Sequence, residues 1–219
     1  MNDRMYVQAL DLTAGVFLLA AVAILWRRQI SAMIAYLAVQ GTALAVLVLL
    51  LSMRQRSAEL LAMAVGLAAL RAVVLPWLAR RAMGDSASER ETRPVVNIAA
   101  SLVVAAALAL LGFAVTRPLL ALDPSPTTQV LPIALTVVLI GFFMLASRRR
   151  APSQVVGFLL LDNGITATAF LATAGVPVIV ELGVSFDLLL VLLVLQVLTT
   201  RLRTAFGSTD LDELRELHD

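Results

Sequence analysis

The stretch PSQVVGFLLLDNGITATAFLAT, Pro152 to Thr173, decides the fold. It is long and apolar enough to cross a bilayer as one helix, which takes about 20 residues. Yet Asp162 stands in its middle, 10 residues beyond Pro152 and so about 15 Å deep at 1.5 Å per residue. Two other apolar stretches carry the same anomaly, one around Arg71 and one around Asp187. A charge at bilayer depth costs about 3 kcal/mol even on the lenient insertion scales. A chain does not keep three of them to stabilise itself; such residues mark ion or proton paths.

Composition agrees with a membrane reading. The chain has 219 residues, 60% of them hydrophobic, with a mean hydropathy of +0.93, far above that of a soluble domain. It has no cysteine, so disulfides, thiolate metal sites and catalytic thiols are excluded. The single histidine, His218, leaves no His-based metal site or triad to build. All 17 basic residues are arginine, and no basic stripe with interleaved aromatics suggests nucleic acid. Met1–Leu10 carries Asp3 and Arg4 ahead of a stretch long enough to span, so a cleavable leader is not expected.

Seven stretches qualify as spans: Val7–Trp26, Ile30–Met53, Ala58–Ala79, Pro94–Val115, Thr128–Ala146, Pro152–Thr173 and Pro177–Thr200. In lipid they must be helices, because backbone groups find no water there. The arginines set the orientation. With the N-terminus outside, twelve lie on the inner side (Arg27, Arg28, Arg80, Arg81, Arg90, Arg93, Arg148, Arg149, Arg150, Arg201, Arg203 and Arg215) against four outside (Arg4, Arg54, Arg56 and Arg117). The positive-inside rule then puts the N-terminus out and the C-terminus in the cytoplasm. Gly84–Pro94 reads as an inner loop and Leu122–Thr128, with two prolines, as an outer turn. Leu211, Leu214 and Leu217 recur among acids, giving an amphipathic tail capped by Ser208 or Thr209, either solvated or docked on a partner.

The second and sixth spans can be superposed. Ala35–Gly41 matches Gly157–Asn163 in aromatic position, apolar run and central polar residue, which sets Gln40 against Asp162. The third span holds Arg71 near its middle, the seventh Asp187. The fold expected is all-α: two parallel three-helix repeats (1–83 and 128–203) joined by an inner loop and adaptor helix (84–127), then the tail (204–219).

An isolated carboxylic acid at mid-membrane depth prefers its neutral form, and a nearby cation or water file restores exchange. Asp162 and Asp187 are therefore candidate proton-relay acids, or buried acids satisfied by inter-helix bonds. Arg71 cannot shed its proton; it either pairs structurally with one of those acids or a neighbouring subunit, or acts as a fixed charge that tunes them. Pro76 marks a hinge or hydration point, since it gives no N–H to the helix. Gln40 is polar without titrating and suits the orienting of water. Asn163 can bond a neighbour, though packing is the simpler role. Glu181 sits near the outer surface, an ordinary interfacial acid or the outer end of a path. Glu59 suits a helix N-terminus, Gln196 inter-helix bonding, and Asp11 the interface.

Gln154-Val155-Val156-Gly157-Phe158 leads into Asp162-Asn163-Gly164, then Val180-Glu181-Leu182-Gly183, Asp187 and the tail Thr209-Asp210-Leu211-Asp212-Glu213-Leu214. This ensemble resembles the hydrogenase-4 component E family, membrane subunits of group 4 nickel–iron hydrogenase and formate hydrogenlyase complexes. Its three-helix units resemble the K subunit of respiratory complex I and the C subunit of multisubunit cation/proton antiporters. The resemblance implies a non-catalytic subunit in the plasma membrane of a prokaryote. It implies no cofactor of the chain's own, with nickel–iron and iron–sulfur centres in partner subunits. The implied partners are antiporter-like membrane subunits, the membrane anchor of a hydrophilic redox arm and small membrane subunits. Asp162 and Asp187 would be relay carboxyls, Arg71 the basic residue and Gln40 a polar position of a buried axis coupling electron transfer to ion movement. Two departures stand out: Asp162 replaces a typical Glu, and Arg71 a typical Lys that could deprotonate. A subunit of an antiporter-like or inorganic-carbon-coupling complex without hydrogenase, or a structural adaptor, remains the alternative.

Overall fold

The computed structural model describes residues 2–83, 98–122, 124–148 and 150–173. Regular structure among them is helical: α1 (Asp3–Trp26), α2 (Ile30–Gln55), α3 (Ala58–Leu67), a π-helical segment (Ala68–Val74), α4 (Leu75–Met83), α5 (Ile98–Leu122), α6 (Pro126–Gln129), α7 (Leu131–Ser147) and α8 (Ala151–Thr173). These make six candidate membrane crossings, with α3, the π segment and α4 forming one and α6 with α7 another. Six of the seven expected spans are thus met by helices of sufficient length and apolarity. The seventh, Pro177–Thr200, lies outside the described residues, as do Glu181, Asp187 and the acidic tail.

Local chemistry sets the turns. Ser57 caps α3 by accepting from the Leu60 N–H at 3.3 Å, and Glu59 occupies that helix's first turn, where negative charge is favoured. Arg56 closes α2 in the left-handed region, φ 53°, and gives the chain its reversal into α3. Ser125 caps α6, with Pro126 in the first turn, where a missing N–H costs nothing. The fourth span, expected at Pro94–Val115, runs past that end: helix α5 continues through Arg117 and Pro118 to Leu122, since a proline removes one backbone bond without ending a helix where no water competes for the others.

Lipid is as apolar as leucine, so close packing and polar bonds, more than hydrophobicity, must hold such helices together. Helix α1 buries Tyr6, Leu10, Ala14, Phe17, Ala21 and Ile24, a three-to-four-residue stripe, and turns Leu12, Leu19 and Trp26 outward. Helices α7 and α8 form an antiparallel hairpin whose backbones nearly touch. A Cβ on Gly141 would lie 2.6 Å from Leu161 Cα, and one on Gly164 would lie 2.7 Å from Val138 N. That double lock fixes the axial position of Asp162, the residue after Leu161. Helix α2 packs against α8 and α1 against α7.

The two ends of the bundle are pinned differently. At one, Arg54 pairs with Asp3 at 2.6 Å and lies over the Tyr6 ring, while Tyr6 Oη meets Thr127 Oγ1 at 3.5 Å. At the other, the buried Arg148 donates from Nη2 to the Leu25 carbonyl at 2.8 Å, so the α7–α8 turn clasps the end of α1. Arg27 and Trp26 lie at that same end.

Candidate functional site

Three helices deliver polar residues to one level of the bundle. Gln40 lies 10 residues into α2, Arg71 lies 13 residues beyond the start of α3, and Asp162 lies 11 residues into α8. At 1.5 Å per residue all three are about 15–20 Å from a helix end, the middle of a hydrocarbon core about 30 Å thick.

Arg71 is the hub. It sits in the π-helical segment, where the Leu75 N–H reaches back five residues to the Leu70 carbonyl. Pro76 follows directly and supplies no N–H to the ladder, which favours a local change of register there. Single π turns of this kind recur at functional sites. Gly41 of α2 lies against the wide turn: a Cβ there would come within 2.5 Å of the Arg71 carbonyl oxygen. Glycine at 41 therefore lets α2 approach the Arg71 backbone and places its neighbour Gln40 inside the network.

The guanidinium donates to three residues of α8. Nη1 pairs with Asp162 Oδ2 and bonds Asn163 Oδ1 at 2.7 Å; Nη2 bonds Thr166 Oγ1 at 2.9 Å. Asn163 Nδ2 in turn donates to Gln40 Oε1 at 3.0 Å. The whole set is buried: Gln40 is 0% exposed, Arg71 1%, Asn163 3% and Thr166 4%.

The direction of the bonds is forced. A guanidinium only donates, so Asn163 must turn its oxygen to Arg71 and its NH2 away. Gln40 must then present its oxygen to Asn163. The Gln40 amide nitrogen is left inside the bundle with no hydrogen-bond partner among the described residues. A buried donor in that state costs about 1–3 kcal/mol, and it is the kind of group an internal water or a further acceptor satisfies.

The geometry resolves several expectations. Arg71 and Asp162 do meet, as an ion pair. Asn163 is a working member of the network, bonded to both Arg71 and Gln40, and not a packing residue alone. Gln40 and Asp162, matched in the sequence superposition, are brought into one cluster through Asn163. Asp187 and Glu181 are outside the described residues. Thr166 escaped the sequence reading, although it lies one helical turn beyond Asp162 and so on the same face. Arg148 was counted only as an inner-side charge, yet it is buried and bonds α1.

Chemically, the cluster holds one permanent cation, one carboxyl paired with it, and amides that transmit hydrogen-bond direction. Those features define a polytopic helical membrane protein with a buried charged core.

The chain has relatives that align with it end to end and others that align over about half of it. Over 220 residues, all of both chains, it is 50% identical to the uncharacterized protein Rv0085 of Mycobacterium tuberculosis, and the chain belongs to that protein's family. It is also 26% identical over 115 residues to hydrogenase-4 component E of Escherichia coli and of Shigella flexneri. That match covers 52% of this chain and 53% of those proteins, so the chain aligns with about half their length. No family model matches the chain, and no solved structure does.

Proposed function

We propose that the chain is a membrane subunit of a hydrogenase-type redox complex, in which it contributes the Arg71–Asp162–Asn163–Gln40 cluster to a polar axis for protons or cations. The observation that carries this reading is a charged network held at mid-membrane depth. Buried ion pairs are weak stabilisers compared with apolar packing, so retention of one in lipid points to use. The distant likeness to hydrogenase-4 component E supports the choice of complex. In this reading Arg71 is a fixed charge, Asp162 is the exchangeable carboxyl beside it, and a water on the Gln40 amide extends the path. Asp187 and Glu181 would continue the axis toward the outer side.

The chain would lie in the plasma membrane of a prokaryote, N-terminus outside. Trp26 beside Arg27, and Trp77 under Arg81 at 5.6 Å, suit a cytoplasmic interface. Partners would be antiporter-like subunits, small membrane subunits and the anchor of a hydrophilic arm that holds nickel–iron and iron–sulfur centres.

The test is the subunit list and metal content of the intact complex extracted in mild detergent. Co-purification with nickel and an iron–sulfur arm is expected. Co-purification with antiporter-like subunits alone, without metal, would instead establish a transport complex. One observation favours a second reading: Arg71 and Asp162 neutralise each other, as they would in a purely structural adaptor.

A further inference from the structure

Helices α1 and α2 leave a groove on their outer face, about 400 Å³ in volume, walled by Leu19, Ala20, Ala23, Trp26, Tyr36 and Val39. Ala20 and Ala23 make it by leaving space where larger side chains would fill it. We propose that this groove holds one acyl chain of an anionic phospholipid, with the lipid phosphate on Arg27.

The shape favours a hydrocarbon chain. The walls run from Val16 to Trp26, a rise of about 15 Å. They are apolar along that length, so an extended hydrocarbon chain can lie in the groove. The charge favours an anion. The Arg27 guanidinium lies over the Tyr36 ring at 5.6 Å and donates from Nη2 to Tyr36 Oη at 3.2 Å. Tyr36 is itself a wall of the groove, so these contacts place the cation at the groove's mouth. Neither Arg27 nor its neighbour Arg28 forms an ion pair among the described residues. Basic pockets between membrane helices at the interface recognise anionic headgroups through this chemistry. Trp26, 60% exposed, marks the headgroup level. This proposal needs only a membrane protein and is independent of the redox reading.

The chain has two tryptophans, which makes the test direct. The full chain carrying Trp77→Phe reports from Trp26 alone. It is placed in phosphatidylcholine vesicles containing brominated phosphatidylglycerol or brominated phosphatidylcholine, and quenching gives relative association constants. A preference of about fivefold for the anionic lipid is expected, the effect of one well-placed arginine. Arg27→Gln should bring it to parity, and Ala23→Phe, which fills the groove with Arg27 intact, should lower it. The companion variant Trp26→Phe reports from Trp77, beside Arg80 and Arg81 but outside the groove, and should show a smaller preference. Parity in the parent, a preference that survives Arg27→Gln, or an equal one at Trp77 overturns the proposal. So does protection of Trp26 from both lipids in native membranes, which would mean that a protein covers the groove.

Discussion

Removing one partner of the Arg71–Asp162 pair should be costly, and the two removals should not cost the same. Both side chains are buried, at 1% and 9% exposure, so solvent screening gives little relief. Breaking a buried pair by deleting one member costs about 3–5 kcal/mol, because the other charge is left uncompensated. The two survivors differ. After Arg71→Gln the remaining carboxyl can bind a proton and lose its charge. After Asp162→Asn the guanidinium cannot discharge and keeps its bonds to the neutral side chains of Asn163 and Thr166. Arg71→Gln should therefore fall near 3 kcal/mol and Asp162→Asn near 5 kcal/mol, the two ends of that range. The double variant leaves no charge behind and should recover about 2 kcal/mol or more of the summed cost, the signature of coupled neighbours. Unfolding of the full chain by sodium dodecyl sulfate in mixed micelles, followed by helical circular dichroism, measures all three. Strict additivity, or an Asp162→Asn cost below about 1 kcal/mol, the scale of an exposed pair, would refute the reasoning.

Other outcomes follow from single contacts. Gly41→Ala puts a Cβ 2.5 Å from the Arg71 carbonyl and should destabilise by about 1–3 kcal/mol; Gly15→Ala, with nothing within 4 Å, should be neutral or gain up to about 1 kcal/mol. The same unfolding assay separates them. Gln40→Leu removes the acceptor for Asn163 Nδ2 but also the unpartnered Gln40 donor, two opposing terms of about 1–3 kcal/mol, so the net change should stay within about 1 kcal/mol. Arg56→Gly relieves a left-handed residue and should stabilise by about 1 kcal/mol. In the assembled complex, Asp187→Asn should abolish coupled proton movement while redox turnover with artificial acceptors continues.

Much of this fold is legible in the chain because lipid leaves so few choices. A long apolar run must be a helix, and the expected starts at Ile30 and Ala58 coincide with those observed. Ends were harder to read. Arg117 and Pro118 look like a stop, yet α5 passes both, since helix-breaking signals are weaker where no water competes for the backbone. The π segment has no periodic signature; only Pro76 hints at it. The charged residues announced themselves by their cost, but their partners did not. A sequence shows that Arg71 needs an anion, not which one. The choice of Asp162 is made by Gly41, Gly141 and Gly164, whose missing Cβ atoms set the helix spacing. Thr166 and Arg148 were missed because a threonine in a span and an arginine at a turn are individually ordinary.

Proton uptake by inverted membrane vesicles, driven by turnover of the intact complex, tests the central claim most directly. The variant to compare is Arg71→Gln combined with Asp162→Asn, which removes both charges together and lets the bundle assemble. If the cluster carries protons, this variant assembles, turns over with artificial acceptors and fails to acidify the vesicles. Acidification at the parent rate would contradict the account and make the pair a structural clasp.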